Sequence, residues 1–424
     1  MTRSKTRPAL ATIPAIGRRA AIAGAGSLLA FPAIHARAQT SGVALVIGNS
    51  KYQWESSLPN VKRDVPDVAK RFQSLGLKTE LVQDLTKDAM IQLLAKYKSA
   101  AADATFVAVY FAGHGVNWAN LTYVVPVDAD LSVSKTDALV RVQAIYRAFP
   151  KSANRLMVFD SCRNNPADGW RQQQAQDHSL FRTDQQQKIA AEDPERLTLY
   201  STAPGRTALD GPAGQNSPFA AAFLRQLSGA STDLHALPEL LRRDLLLATQ
   251  GRQLLFAYNH FTKPVRISGP RDPAFAASGP AYNPASIVEL SKAYAFARDS
   301  GFDLPPGMIA IRPAAGSPDG KKIGTFKYID RSNNTSGNAS LLIVLSVDET
   351  RTAQLMLAGK SNNGAYWRFV SGTVSGDRLE YLPHGAGSRY IFDWRDANGG
   401  SVGALPENAV SSKPYSTDFT RLDG

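Results

Sequence analysis

Cysteine is almost absent: the 424 residues contain one, Cys162. This excludes an internal disulfide and any zinc site built on paired cysteines. Long apolar runs are missing too. No stretch reaches the roughly 18 apolar residues that a membrane-spanning helix needs. There is no polybasic run, and the charge that exists is unevenly placed. Of the formal net charge of +12, six positive charges (Arg3, Lys5, Arg7, Arg18, Arg19 and Arg37) lie within residues 1–38, which hold no acid. The remainder is only mildly basic, so nucleic-acid binding has little support. No internal repeat is strong enough to imply a propeller. What is there is ordinary: 43% apolar and 20% charged residues, in a chain long enough for two or three globular domains.

Residues 1–38 read as an export signal rather than as part of a fold. A basic region ends in Arg18-Arg19, a weakly apolar stretch runs from Ala20 to Ile34, and Ala36-Arg37-Ala38 offers a small-x-small cleavage site. Twin arginines before a weak apolar stretch resemble a twin-arginine signal, although Ala21 stands where a bulky apolar residue is usual. The expectation is export, to a periplasm-like compartment. A lone cysteine suits oxidising surroundings, having no partner in the chain.

From 42 to 268 strand-like and helix-like segments alternate. Val43–Gly48, Lys78–Val82, Thr105–Phe111, Arg155–Asp160 and Arg196–Ser201 read as strands. Helices are expected from a cap at Asn60 to the stop at Gly76, from Thr86 over 87–101, near 138–149, from Ser217-Pro218, and over 235–249. This rhythm predicts an α/β domain with a mainly parallel sheet and helices on both faces. Sites in such sheets lie at the carboxyl ends of strands. The stretch 163–195 is polar and aperiodic, an exposed loop open to proteolysis. Residues 269–321 read as a linker, with one amphipathic helix over 285–299. From 322 to 424, short alternating strands separated by Asn/Gly/Asp turns predict an antiparallel all-β domain, either a small barrel or a sandwich.

Two strand ends carry reactive residues. Thr105-Phe-Val-Ala-Val-Tyr-Phe-Ala-Gly-His-Gly places His114 between two glycines, and Arg155-Leu-Met-Val-Phe-Asp-Ser-Cys ends in Cys162, 48 residues later. Singly, each is ordinary: a loop histidine, a small buried hydrophobe. Together they form a candidate thiolate nucleophile and its base. The segments Ala44-Leu-Val-Ile-Gly-Asn, Tyr110-Phe-Ala-Gly-His-Gly, Tyr123-Val-Val-Pro-Val-Asp-Ala-Asp, Phe159-Asp-Ser-Cys-Arg-Asn-Asn-Pro and Ser201-Thr-Ala-Pro-Gly-Arg-Thr-Ala-Leu-Asp resemble the caspase-like peptidases of bacteria, which group with metacaspases and paracaspases. The resemblance covers about residues 42–268 and includes a histidine about 50 residues before the cysteine.

That resemblance implies Cys162 as nucleophile, His114 as base, and an oxyanion hole from the N–H groups of Gly115 and Cys162. It also implies cleavage after Arg or Lys, with Asp160 and Asp64 as pocket acids and Asp210 as a weaker candidate for the cleft. The plainer readings are a solvated strand-end Asp160 and an Asp64 that answers the helix dipole. Ser161 stands where relatives often have alanine. The loop 163–195 corresponds to a linker that some relatives cleave in themselves, and Arg171, Arg182, Lys188 and Arg196 are candidate cut points.

No metal site is expected. Some metacaspases need calcium, but Asp128 and Asp130 alone are too few for a site of six to eight oxygens. In the β domain, Tyr366, Trp367, Tyr381, Tyr390, Phe392 and Trp394 read first as core, and second as a platform for a carbohydrate or protein ligand. His384 reads as an exposed turn residue. The leading expectation is a cysteine endopeptidase acting on protein or peptide substrates through an acyl-enzyme. The alternative is a catalytically silent, caspase-like binding or scaffold protein.

Overall fold

Fully apolar, β-branched runs supply the central strands, because a strand covered on both faces has no side to give to water. The computed structural model describes residues 42–118, 121–132, 136–163, 193–203, 206–276, 286–312, 319–330, 338–361, 364–381, 388–406 and 415–422. The expected signal, most of the polar loop (with Arg171, Arg182 and Lys188) and His384 lie outside the described residues.

In chain order the first half contains β1 (Gly42–Gly48), α1 (Val61–Ser74), β2 (Lys78–Gln83), α2 (Lys87–Ala100) and β3 (Phe106–Ala112). Three short strands follow, β4 (Gly115–Trp118), β5 (Leu121–Val124) and β6 (Val140–Arg141), paired as a small antiparallel sheet. Then come α3 (Val142–Arg147), β7 (Asn154–Asp160), β8 (Arg196–Tyr200), α4 (Pro218–Leu227), β9 (Ser231–Asp233), α5 (Leu237–Ala248), β10 (Phe256–Asn259) and β11 (Arg266–Ser268).

The main sheet has the order β10-β8-β7-β3-β1-β2, parallel except for β10 at one edge. Alternation along each strand sends side chains to opposite faces. Leu45, Ile47, Val107, Val109, Phe111, Met157 and Phe159 pack with the α2 and α3 side. Ala44, Val46, Ala108, Tyr110, Leu156 and Val158 pack with α1, α4 and α5. Each large aliphatic or aromatic side chain so buried contributes about 1.5–3 kcal/mol. The register aligns the carboxyl ends: Gly48 sits beside Ala112, and Ala112 beside Asp160. Asn49, His114 and Cys162 therefore emerge at one rim of the sheet.

Caps and stops behave as the residue types dictate. Thr86 accepts the Ala89 N–H, Ser217 accepts the Ala220 N–H ahead of Pro218, and Gly76 takes φ +84° after α1. Asn60 differs from expectation. Its side chain makes no cap bond to α1; its Nδ2 instead donates to the Asp210 and Pro212 carbonyls at 2.5 and 3.1 Å. The helix expected near 138–149 is shorter, because Val140 and Arg141 pair with Val124 and Tyr123. Likewise β12 (Ile287–Glu289) replaces the first turn of the helix expected over 285–299. It pairs with β13 (Ile309–Ile311), and α6 (Ser291–Asp299) lies between them.

The last part is a closed antiparallel barrel rather than a sandwich. Its strands are β14 (Gly324–Asp330), β15 (Asn338–Val347), β16 (Thr352–Ser361), β17 (Gly364–Ser375), β18 (Arg378–Tyr381), β19 (Ser388–Asp396), β20 (Gly399–Pro406) and β21 (Tyr415–Arg421). β14 closes the ring against β21. Phe326, Phe392, Trp394 and Phe419 meet at ring distances of 4.9–6.4 Å in the interior. Tyr381 and Tyr390 are buried with them, whereas Tyr366 and Trp367 are only half-buried. Residues Thr40–Gly424 form one compact unit, and a single apolar cluster runs from the sheet through Phe256, Leu290 and Ile309 into the barrel.

Candidate active site

His114 is held from three directions. Its backbone N–H donates to the Tyr52 hydroxyl at 2.7 Å, and the Tyr52 ring lies 4.5 Å from the imidazole. Its Nε2 lies 2.8 Å from the Ser56 carbonyl oxygen. A carbonyl can only accept, so Nε2 carries the proton, and in the neutral ring Nδ1 keeps its lone pair. Asp210 adds a field: burial raises its carboxyl pKa, and His114 draws it back down. Asp210 is thus placed within electrostatic reach of the imidazole.

Cys162 is half-buried, one residue beyond Ser161. Burial pushes its thiol up from the usual value, and the Ala208 N–H, 3.4 Å from Sγ, pulls it partly back. A thiol held up in this way is not a free thiolate at neutral pH and needs a neighbouring base to ionise it.

Gly115 joins the two loops. A Cβ at this position would lie 2.6 Å from the Cys162 carbonyl oxygen and 2.9 Å from Ser161 Cβ, so the backbone approach requires glycine. The Val125 N–H donates to the His114 carbonyl while Gly115 sits opposite Val124. That is the pattern of a non-hydrogen-bonded pair, which leaves the Gly115 N–H unused by the ladder. The Cys162 N–H likewise has no backbone partner among the described residues. The Gly115 N–H is thus free of the ladder, in a loop that closely approaches the Cys162 carbonyl, while the Cys162 N–H faces its own sulfur.

Asp160 and Asp64 come together beneath this rim. Asp160 accepts from the Tyr110 hydroxyl at 3.1 Å and from Ser217 Oγ at 2.9 Å. Asp64 accepts from the Ser217 N–H at 3.0 Å and from Asn216 Nδ2 at 3.1 Å. Both are buried, at 8% and 1% exposure, and neither forms an ion pair among the described residues. Burial is the chief cause that raises both, Asp64 to about 8 and Asp160 to about 6, and each is pushed further by a neighbouring carboxylate. Asp64 therefore does more than answer the dipole of α1, and Asp160 is not a solvated strand end.

The model of the Caspase domain matches residues 41–265, more than half of the chain. This chain belongs to the caspase-domain family. The caspase domain is that of a cysteine-type peptidase, which implies protein substrates. A crystal structure of caspase-1 from Spodoptera frugiperda is similar over 55% of this chain and 92% of that one, at 14% identity and a TM-score of 0.42. No curated protein matches the sequence.

Several residues that shape this caspase-domain site escape sequence reasoning. Tyr52 and Ser56 touch His114, Ala208 touches Cys162, and Ser217 and Tyr110 bind the acids. The one usable signal was position: Asn49 to Ser56 directly follow β1, at the rim where such sites form. Asp128 and Asp130 do local work, accepting the Lys87 N–H and the Ser132 N–H at 2.9 Å each. Among the described residues no group of three His, Cys, Asp or Glu gathers as a metal set. Arg196, expected as a cut point, is buried at the start of β8 in an ion pair with Asp193, so its peptide bond is held within the sheet.

Proposed function

We propose that the chain is a cysteine endopeptidase that cuts after Arg or Lys through Cys162 and His114. The observation that carries this reading is the tautomer imposed by the Ser56 carbonyl. It leaves Nδ1 of His114 as the acceptor, on a loop packed directly against Cys162 through Gly115.

In this reaction Nδ1 takes the proton of the Cys162 thiol as Sγ attacks the scissile carbonyl carbon. The carbonyl oxygen becomes an oxyanion and is met by the N–H groups of Gly115 and Cys162; one such donor is typically worth about 3–4 kcal/mol in the transition state. The protonated imidazole then gives its proton to the departing amine, leaving a thioester on Sγ. Water, deprotonated by the same nitrogen, attacks the thioester and releases the acid.

Specificity for a basic residue is supported by Asp64 and Asp160, two buried carboxyls that form no ion pair among the described residues. A guanidinium or ammonium supplies the missing charge and accepts charge-assisted hydrogen bonds from neither neighbour but donates them to both. Fluorogenic peptides ending in Arg, Lys or Asp, assayed with wild type and Cys162→Ala, test the proposal. Turnover of the Arg and Lys peptides that disappears in the variant is expected. No Cys162-dependent turnover of any peptide refutes the peptidase reading and leaves the scaffold alternative; a preference for Asp refutes the role of the acids.

Export is proposed on residues 1–38 alone. Replacing Arg18 and Arg19 together by Lys should retain the protein in the cytoplasm. Unchanged delivery to the periplasm in a bacterial host would show that the pair is not the signal.

A further inference from the structure

The barrel touches the catalytic half at residues that flank the nucleophile. Trp367 and Ser371 lie four residues apart on β17 and so share one face of that strand. Ser371 Oγ accepts a hydrogen bond from Arg206 Nη1. Arg206 begins the segment 206–210. Its carbonyl accepts the Arg163 N–H at 2.9 Å, and two residues on the Ala208 N–H reaches Sγ of Cys162.

Trp367 makes a second contact. Its ring lies 5.5 Å from that of Phe256. The Arg163 guanidinium, next in sequence to Cys162, stacks 5.1 Å from the Phe256 ring and 4.1 Å from that of Tyr200. Arg163 is 2% exposed, and its Nε and Nη1 have no hydrogen-bond partner among the described residues. Its Nη2 donates to the Thr122 hydroxyl at 3.2 Å, so aromatic faces and one hydroxyl, not a carboxylate, hold this cation in place. A third contact points the same way. Ser346 of β15 packs against the backbone at Gly251, two residues before the buried Gln253, whose Oε1 accepts the Leu209 N–H at 2.9 Å.

We propose that the barrel is an in-chain brace for the nucleophile, with Trp367 and Ser371 as positioning residues that hold Arg163 and the 206–210 segment against Cys162. The proposal rests on Cys162 being the reactive residue of the preceding section. Neither Trp367 nor Ser371 is a reacting group in this scheme. The barrel's effect passes through two short paths: Ser371–Arg206–Ala208 ends at Sγ, and Trp367–Phe256–Arg163 ends at the residue next to Cys162. When either path loosens, the Ala208 N–H drifts from Sγ, and a half-buried thiol that loses a donor ionises at higher pH.

Cys162 is the sole cysteine of the chain, so alkylation by iodoacetamide reads it without any substrate. The test follows alkylation rate against pH for the full chain and for Trp367→Ala, Trp367→Phe, Ser371→Ala and Ser371→Asp. Lys327→Ala, on the exposed side of β14, serves as control. Trp367→Ala should move the midpoint up by roughly half a pH unit or more, about a threefold loss of thiolate at neutral pH. Ser371→Ala should move it less. Trp367→Phe and Ser371→Asp, which keep a ring and an acceptor, should restore it.

With an arginyl peptide, kcat should fall and KM stay within about twofold, since neither residue meets substrate. Folded Trp367→Ala and Ser371→Ala proteins whose alkylation profiles overlie that of wild type overturn the proposal. If Trp367→Ala does not fold, Ser371→Ala decides alone, and an unchanged profile overturns it. A shifted profile in a protein that cleaves no peptide supports the brace while refuting the peptidase reading.

Discussion

Binding of an arginine side chain beside Asp64 and Asp160 will expel a proton. Among the described residues the two buried carboxyls have no ion-pair partner, and they are raised to about 8 and about 6. At pH 7 the first is roughly nine-tenths protonated and the second about one-tenth, so the pair holds about one proton. A guanidinium placed against both carboxylates favours both ionised forms, and that proton must leave. Affinity is then linked to pH, rising about a hundredfold in all between pH 6 and 8. The assay is calorimetric titration of the Cys162→Ala protein, which cannot turn substrate over, with an acetylated peptide amide ending in Arg. Buffers of different ionisation enthalpy report the number of protons released, and a norleucine peptide is the control. Release near one proton is expected for wild-type acids, falling to about a tenth in Asp64→Asn. An arginine peptide that binds with no proton release, or with affinity flat across this range, would refute the account of the pocket.

Other perturbations follow from the same geometry. The folded-state pKa values of Asp64 and Asp160 are raised above the ordinary 3.8, so the native state holds extra protons between about pH 4 and 8 and its stability falls as pH rises through that window; urea midpoints should decline accordingly, and Asp64→Asn should flatten the decline by an amount on the order of a few kcal/mol. Tyr52→Phe removes the acceptor of the His114 N–H and should cost about 1–3 kcal/mol in chemical denaturation, with a lowered kcat. Gly115→Ala drives a Cβ toward the Cys162 carbonyl and displaces the proposed oxyanion donor, so turnover of the arginyl peptide should fall by about 10²–10³, mainly in kcat.

The apolar runs at 43–48, 105–111 and 155–160 announced β1, β3 and β7, because strands buried on both faces admit little else. Thr86 and Ser217 announced helix starts through local hydrogen bonds that any sequence window contains. What local windows cannot contain is a partner far along the chain. Asn60 looks like a cap, yet it spends its amide on carbonyls about 150 residues away. Ile287–Glu289 looks helical until Ile309–Ile311 offers it a ladder. β20 is hidden for another reason: its glycines carry no apolar signal, and Gly400 is required because a Cβ there would lie 2.7 Å from the Asp393 carbonyl carbon. At the site, the emergence of His114 and Cys162 from neighbouring strand ends was legible. Their orientation was not, since it comes from Tyr52, the Ser56 carbonyl and Ala208, whose types alone signal nothing.

The closure of β14 on β21 also sets a clock. Chains are made from the amino end at about 5–20 residues per second, and about 260 residues separate Cys162 from the close of β21, so the ring can complete only roughly 13–50 s after the nucleophile has been polymerised. Until then β17 has no finished wall behind it, and the segment over the sulfur stands without its support. Under the proposed brace, a nascent chain acquires a reactive Cys162 only after the ring has closed, a safeguard set by the order of synthesis.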